Sequence, residues 1–249
     1  MKDGAPPIFG IPEIDHSVQA VLPPGWLGLI EGGPGAGTHL LAKQAAHVAA
    51  GAMPVLYYAT HESATEVARV FDEFGWDAAE IKIADLDSEF FAAGRQRDNA
   101  VYRTRARGLS LAEAMSTQAM APLAPPPAPV GRLIADIATL DSPFRYIVDS
   151  YDLLLEMLTG PEATTVARQL RHRAYETGAG ALLVFRREVA EPRTLALLEV
   201  IADFIVRMEL VRDGDVFFPS LAIEKVRNHP ELTRVLRGTV TPKGIEAHR

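Results

Sequence analysis

One short stretch constrains the fold more than any other. Trp26 to Glu31 (WLGLIE) is an apolar run that reads as a buried strand, and it leads straight into Gly32-Gly33-Pro34-Gly35-Ala36-Gly37-Thr38-His39. Leu40 to Ala50 follows, rich in alanine and leucine with no breaker, and reads as a helix. Strand, glycine loop and helix in that order open an α/β unit. Glycines admit open dihedrals and let the backbone approach an anion closely. The loop amides and the helix amino end then face that anion. A tight strand-to-helix turn has the same composition, so the loop alone leaves function open.

The rest of the chain repeats the alternation. Pro54 to Ala59, Arg145 to Asp149 and Ala181 to Phe185 read as further buried strands. Ser63 to Phe74 reads as a helix with Val67, Val70 and Phe71 on one face. Thr164 to Thr177 reads as another, closed by Gly178 and Gly180. The pattern predicts a mostly parallel central sheet covered by helices. The end of the chain changes character. Phe204 to Val211, the turn Asp213-Gly214, and Phe217 to Val226 predict an antiparallel hairpin, with a further strand over Val235 to Val240.

Residues 88–130 fit this alternation least. They carry Arg95, Arg97, Arg103, Arg105 and Arg107, a Ser110/Glu113 capping pair, and a final Ala-Pro-Leu-Ala-Pro-Pro-Pro-Ala-Pro that neither helix interior nor inner strand accepts. They read as a partly flexible surface insertion in a single domain of residues 1–249, either a solvated excursion or an arm that binds a partner.

Composition excludes several classes. The chain of 249 residues has no cysteine, so thiolate metal sites, disulfides and cysteine nucleophiles are ruled out. Its start lacks the basic-then-apolar pattern of a secretory signal, and no run approaches the ~18 apolar residues of a membrane span. The expectation is a cytoplasmic protein. A formal net charge of −7 argues against nucleic acid as a partner. His16, His47, His172, His229 and His248 show no metal-ligand spacing, and there is neither a hydrolase Gly-x-Ser-x-Gly elbow nor a His-Glu-x-x-His zinc helix.

A working phosphate-binding loop reads Gly-x-x-x-x-Gly-Lys-Ser/Thr. Gly32 and Gly37 have that spacing, but Thr38 stands at the lysine position and His39 at the hydroxyl position. Lys43 follows more than a turn into the helix, which on spacing puts it out of reach of the loop. Losing a charge-assisted contact to phosphate costs about 2–4 kcal/mol.

Beyond the loop, short motifs recur in order along the chain. They are Phe9-Gly10-Ile11-Pro12-Glu13-Ile14-Asp15, Pro24-Gly25, Phe74-Gly75-Trp76-Asp77, Tyr146-Ile147-Val148-Asp149-Ser150, Ala202-Asp203, Ile223-Glu224-Lys225-Val226-Arg227 and Thr241-Pro242-Lys243-Gly244-Ile245. In that order and spacing the chain resembles the KaiC-like branch of the RecA superfamily of P-loop ATPases over nearly its whole length, with a degenerate loop. The resemblance implies a RecA-like α/β fold with the loop strand near the sheet centre. It implies ATP at Gly32 to His39, Mg2+ on Asp149, and water activation at His61-Glu62, where the family carries two adjacent glutamates. It also implies that Lys225 and Arg227 reach a neighbouring subunit's phosphate in an oligomer, a ring among the options. Each residue has a plainer reading: Asp149 and Glu62 as helix caps, Lys225 and Arg227 as a solvated pair on an exposed strand face. Three functions stay open. The chain is a nucleotide-binding regulatory or scaffolding oligomer with weak or absent hydrolysis, an ATPase with substituted loop chemistry, or an interaction scaffold that no longer binds nucleotide and works through a protein partner.

Overall fold

The apolar runs become strands because both their faces are covered. In the computed structural model, which describes residues 6–86, 88 and 128–248, the chain runs α1 (Pro12–Gln19), β1 (Trp26–Gly32), α2 (Thr38–Ala50), β2 (Val55–Ala59), α3 (Ala64–Glu73), β3 (Ile81–Asp85), α4 (Ala128–Ala138), β4 (Arg145–Asp149), α5 (Asp152–Met157), α6 (Gly160–Thr177), β5 (Gly180–Phe185), α7 (Pro192–Ile201), β6 (Phe204–Asp213), β7 (Val216–Val226), β8 (Arg234–Thr241) and β9 (Gly244–His248). The strands form one nine-stranded sheet in the order β3-β2-β4-β5-β1-β6-β7-β8-β9. From β3 to β6 neighbours are parallel; β6 to β9 are antiparallel. β1 is therefore central, and β5 separates it from β4. Alternate residues divide the core. Ile30, Tyr57, Ile147 and Val184 pack under α1, α2 and α3, while Leu29, Tyr58, Val148 and Leu183 pack under α4 to α7.

Several elements differ from the sequence reading, which gave no α1, β3, α4, α5 or α7. α6 starts at Gly160, four residues before Thr164, because Thr159 and Glu162 form a reciprocal capping box around Pro161. The C-terminal hairpin turns at Gly214-Asp215, with Gly214 at φ 61°. β9 adds a strand beyond the expected one. Of the stretch read as an insertion, 89–127 lie outside the described residues. Val130, near its far end, is a buried residue of α4.

Two of the short motifs, the entry and the closing one, turn out to be clamps on α2, the helix behind the glycine loop. Asp15 accepts the amides of Phe9 (3.0 Å) and Gly10 (2.8 Å), folding the entry segment back on itself. The Gln44 amide donates to the carbonyls of Phe9 (2.8 Å) and Ile245 (3.0 Å) and accepts the Ile245 amide (2.6 Å). One α2 side chain thus joins the entry motif to the closing strand. The Pro24-Gly25 step has a steric cause. A Cβ at Gly25 would lie 2.0 Å from the Ala174 carbonyl oxygen in α6. Backbone cannot yield as a side-chain tip can, so Gly25→Ala is expected to lower stability by about 1–3 kcal/mol in urea denaturation. An unchanged midpoint would contradict the close approach.

Candidate functional site

β1 delivers the loop at the carboxyl end of the parallel strands. Gly35 (φ 79°) and Gly37 (φ 91°) both take left-handed conformations that a side chain would strain. Gly37 is the N-cap of α2 and offers no side chain to its first amides, which leaves them available to an anion. Gly32 and Ala36 are buried, Gly33 and Gly37 half-buried, and Pro34 and Gly35 exposed. Thr38 is buried, its methyl group turned onto Gly32. It replaces the missing lysine with packing.

The cation reappears elsewhere. Lys43, read from spacing as out of reach, enters the site: its Nζ lies 2.6 Å from Glu62 Oε2 and 3.6 Å from Asp149 Oδ2. Its side chain is 2% exposed. Helical side chains lean toward the helix amino end, and a four-carbon stem spans a turn, which brings the ammonium to these two carboxylates. A lone lysine among Leu41, Ala42, Ala45 and Ala46 on a buried helix was the available signal, since such a charge requires partners.

Asp149, at the end of β4, is the hub. The His39 ring nitrogen Nδ1 contacts Oδ1, and the Tyr57 hydroxyl donates to Oδ2. Tyr57 comes from β2, where Ala59 is paired in register with Asp149, so the two strands bring hydroxyl and carboxylate together. Burial alone would raise the Asp149 pKa, but His39, Lys43 and Tyr57 hold it below the ordinary carboxylate value. The bond to Asp149 raises that of His39, against the opposing effect of burial. Burial, and then the neighbouring Asp149 charge, raises Tyr57. The following turn is fixed as well. Thr60 Oγ1 donates to the Ser150 carbonyl (2.8 Å) and accepts the Ser150 amide (2.6 Å), while Asp152 accepts from the Arg186 amide (2.9 Å) and Nε (2.8 Å).

This donor set does not fit magnesium. Mg2+ takes oxygen ligands in a near-octahedral shell. Both Asp149 oxygens already meet donor groups, two of them on basic side chains, and the nearest other carboxylate is paired with Lys43.

The remaining expected residues divide. Glu62 joins the site, bound to Lys43. His61 is exposed and has no hydrogen bond or ion pair among the described residues. Lys225 and Arg227 lie at the opposite end of the sheet, since Val226 pairs with Phe204 and Phe204 with Gly28, near the start of β1. Neither is a solvated pair. Lys225 Nζ donates to the carbonyls of Glu199 and Val200, and Arg227 donates to those of Val200, Ile201 and Ala202 (2.7–2.9 Å) and to Asp203 (2.8 Å). Both close the carboxyl end of α7, where cations are favoured.

One further charge adjoins the loop. Glu31, fully buried, precedes Gly32 on β1 and meets Arg187 NH1 (3.1 Å) and Arg207 NH2 (3.5 Å), which also contact Glu199 and Glu224. Its Oε1 has no partner among the described residues. Burial, reinforced by Glu199 and Glu224 and opposed by Arg187, pushes its pKa up to about 7 from 4.5. A carboxyl raised on folding supports stability fully below its unfolded pKa and loses that support as pH rises toward 7. Glu31→Gln is therefore expected to remove a stability slope of about 3 kcal/mol between pH 4.5 and 7. Melting temperatures across that range check it; parallel curves for the two proteins would contradict the assignment.

With the geometry in place, the chain can be compared with known proteins. A family model described as "ATPase: KaiC" matches residues 9–249. No match is found among curated proteins. Among solved structures the chain is similar to the KaiC-like protein PH0186 from the hyperthermophilic archaeon Pyrococcus horikoshii OT3, with 19% identity, a TM-score of 0.63 and 97% of each chain covered. At that identity the likeness speaks for the fold, a mostly parallel α/β sheet with antiparallel C-terminal strands. No helix among the described residues is long and apolar enough to cross a membrane. Loop, Asp149 strand, entry and closing motifs and family match agree: the chain belongs to the KaiC family of RecA-like P-loop ATPases.

Proposed function

We propose that this protein binds ATP or ADP at Gly32 to His39, hydrolyses it slowly or not at all, and uses nucleotide as a conformational or assembly ligand. One observation carries the reading. The loop keeps its left-handed glycines and an uncapped helix amino end, while Glu62, the carboxylate placed to activate water, is in contact with Lys43. A carboxylate engaged by an ammonium is a weak general base, and His61 beside it has no partner among the described residues that would orient it. Asp149 here organises His39, Tyr57 and Lys43 rather than a metal.

The position of Lys225 and Arg227 supports an assembly role. They stand at the far end of the sheet from this chain's own loop, so they meet a nucleotide only across an interface with another subunit. They would have to leave the α7 carbonyls to do so, which makes nucleotide-driven assembly a change of partners.

Melting temperature with and without ATP or ADP, followed by a phosphate-release assay, tests the reading. The expected result is stabilisation by nucleotide with turnover well below about 1 per second. Turnover in the ordinary range, abolished by Glu62→Gln, would favour a true ATPase with substituted chemistry. No shift at millimolar nucleotide would leave the interaction scaffold.

A further inference from the structure

We propose that Lys43 is a built-in replacement for the divalent cation of this site, so that nucleotide binding here is independent of magnesium. The nucleotide half of this inference rests on the reading above; the cation half rests on the apoprotein's geometry alone. Lys43 Nζ sits between the two carboxylates that a metal would use, 2.6 Å from Glu62 and 3.6 Å from Asp149, with its side chain and that of Asp149 each 2% exposed. Its stem rises from α2 beside the Tyr57 ring, whose centroid lies 5.9 Å from Nζ. His39 holds the other Asp149 oxygen.

A divalent ion entering this space would have to displace N–H and O–H donors from Asp149. It would also stand within a few ångströms of an ammonium, a strongly repulsive placement in a buried site. The ammonium already does what the ion does electrostatically, offsetting buried carboxylate charge. It is a compact point charge of the kind that suits phosphate oxygens. The lack of a lysine at position 38 and the poor fit to magnesium thus have one reason. A single cation, five positions further along the chain, stands against both carboxylates, and Thr38 is free to pack against Gly32. The ligand this site takes is a metal-free nucleoside polyphosphate.

Two measurements on the whole protein test this. In the first, ATP and ADP affinities are compared in excess Mg2+ and in EDTA. The expected ratio is within about threefold; binding that requires Mg2+ would overturn the inference while leaving the nucleotide-binding reading intact. In the second, without nucleotide, Mn2+ binding is followed by electron paramagnetic resonance and by melting temperature. The wild-type protein is expected to bind no Mn2+ at this site and to show no shift. Lys43→Met, which keeps most of the stem but removes the ammonium between Asp149 and Glu62, is expected to melt lower and to be restored by Mn2+, an effect lost on adding Asp149→Asn. Wild-type Mn2+ binding that disappears in Asp149→Asn would overturn the inference. So would a folded Lys43→Met protein indifferent to Mn2+. If Lys43→Met does not fold, the wild-type resonance and EDTA measurements still decide. If no nucleotide binds in either buffer, the proposed function falls and the Mn2+ results alone judge the cation.

Discussion

Replacing Asp203 with alanine will lower the unfolding free energy by about 3–5 kcal/mol, the largest effect expected of any single change here. Its carboxylate, 1% exposed, accepts from the Leu27 amide (3.0 Å), Arg171 NH2 (3.0 Å), Arg227 Nε (2.8 Å) and the Tyr175 hydroxyl (3.0 Å). Removing it strands a buried amide beside two guanidinium groups, and the cost is that of leaving them unpaired rather than the value of one ion pair. The damage would fall at the junction of β1, β6, α6 and α7, far from the loop. Urea denaturation measures it directly. A loss below about 1 kcal/mol would mean that water satisfies these groups and that Asp203 is no hub.

Asp149→Ala should come next, at about 3 kcal/mol, because it leaves the Lys43 ammonium and the Tyr57 hydroxyl buried with a partner removed. Its pH dependence distinguishes it from Asp203→Ala. The Asp149 pKa is lowered on folding, so its contribution is present above 3.8 and is lost as pH falls through the lower folded value. That of His39 is raised, so its share is complete below 6.5 and is lost as pH rises through the higher folded value. The gap between wild type and Asp149→Ala should therefore be widest in the mildly acidic range and narrow above it. A gap that keeps widening with pH would contradict the His39 contact.

Much of the fold was legible because the determining patterns are local. The four apolar runs from Trp26, Pro54, Arg145 and Ala181 are strands buried on both faces, and such runs need no alternation to be recognised. The Asp-Gly hairpin was legible within a residue, since Gly214 fills the left-handed turn position. β3 and β9 were not. Each is five residues long at a sheet edge, and β3 is only partly buried. The entry and closing motifs could be listed but not explained, because their meaning lies in Gln44 bonding both Phe9 and Ile245, the latter 201 positions away from it.

The site shows the same division. The glycine loop and Asp149 could be read from the chain, since strand and helix flank them. Lys43 and Tyr57 could not, because each acts through direction. Tyr57 depends on the β2–β4 register, and Lys43 on the lean of a helical side chain. Counting residues from Gly37 spoke only to the loop; the partners of Lys43, Glu62 and Asp149, lie at or just past the ends of other strands. Lys225 and Arg227 illustrate the reverse, since a motif located them while their contacts with the α7 carbonyls needed the structure.

The most direct test of the central claim is a calorimetric titration of the whole protein with ATP, alongside Gly37→Ala, which strains the left-handed N-cap of α2. One saturable site is expected in the wild-type protein, weakened at least about tenfold in the variant. No saturable binding at millimolar ATP, or equal binding by a folded Gly37→Ala protein, would show that this loop is not a nucleotide site.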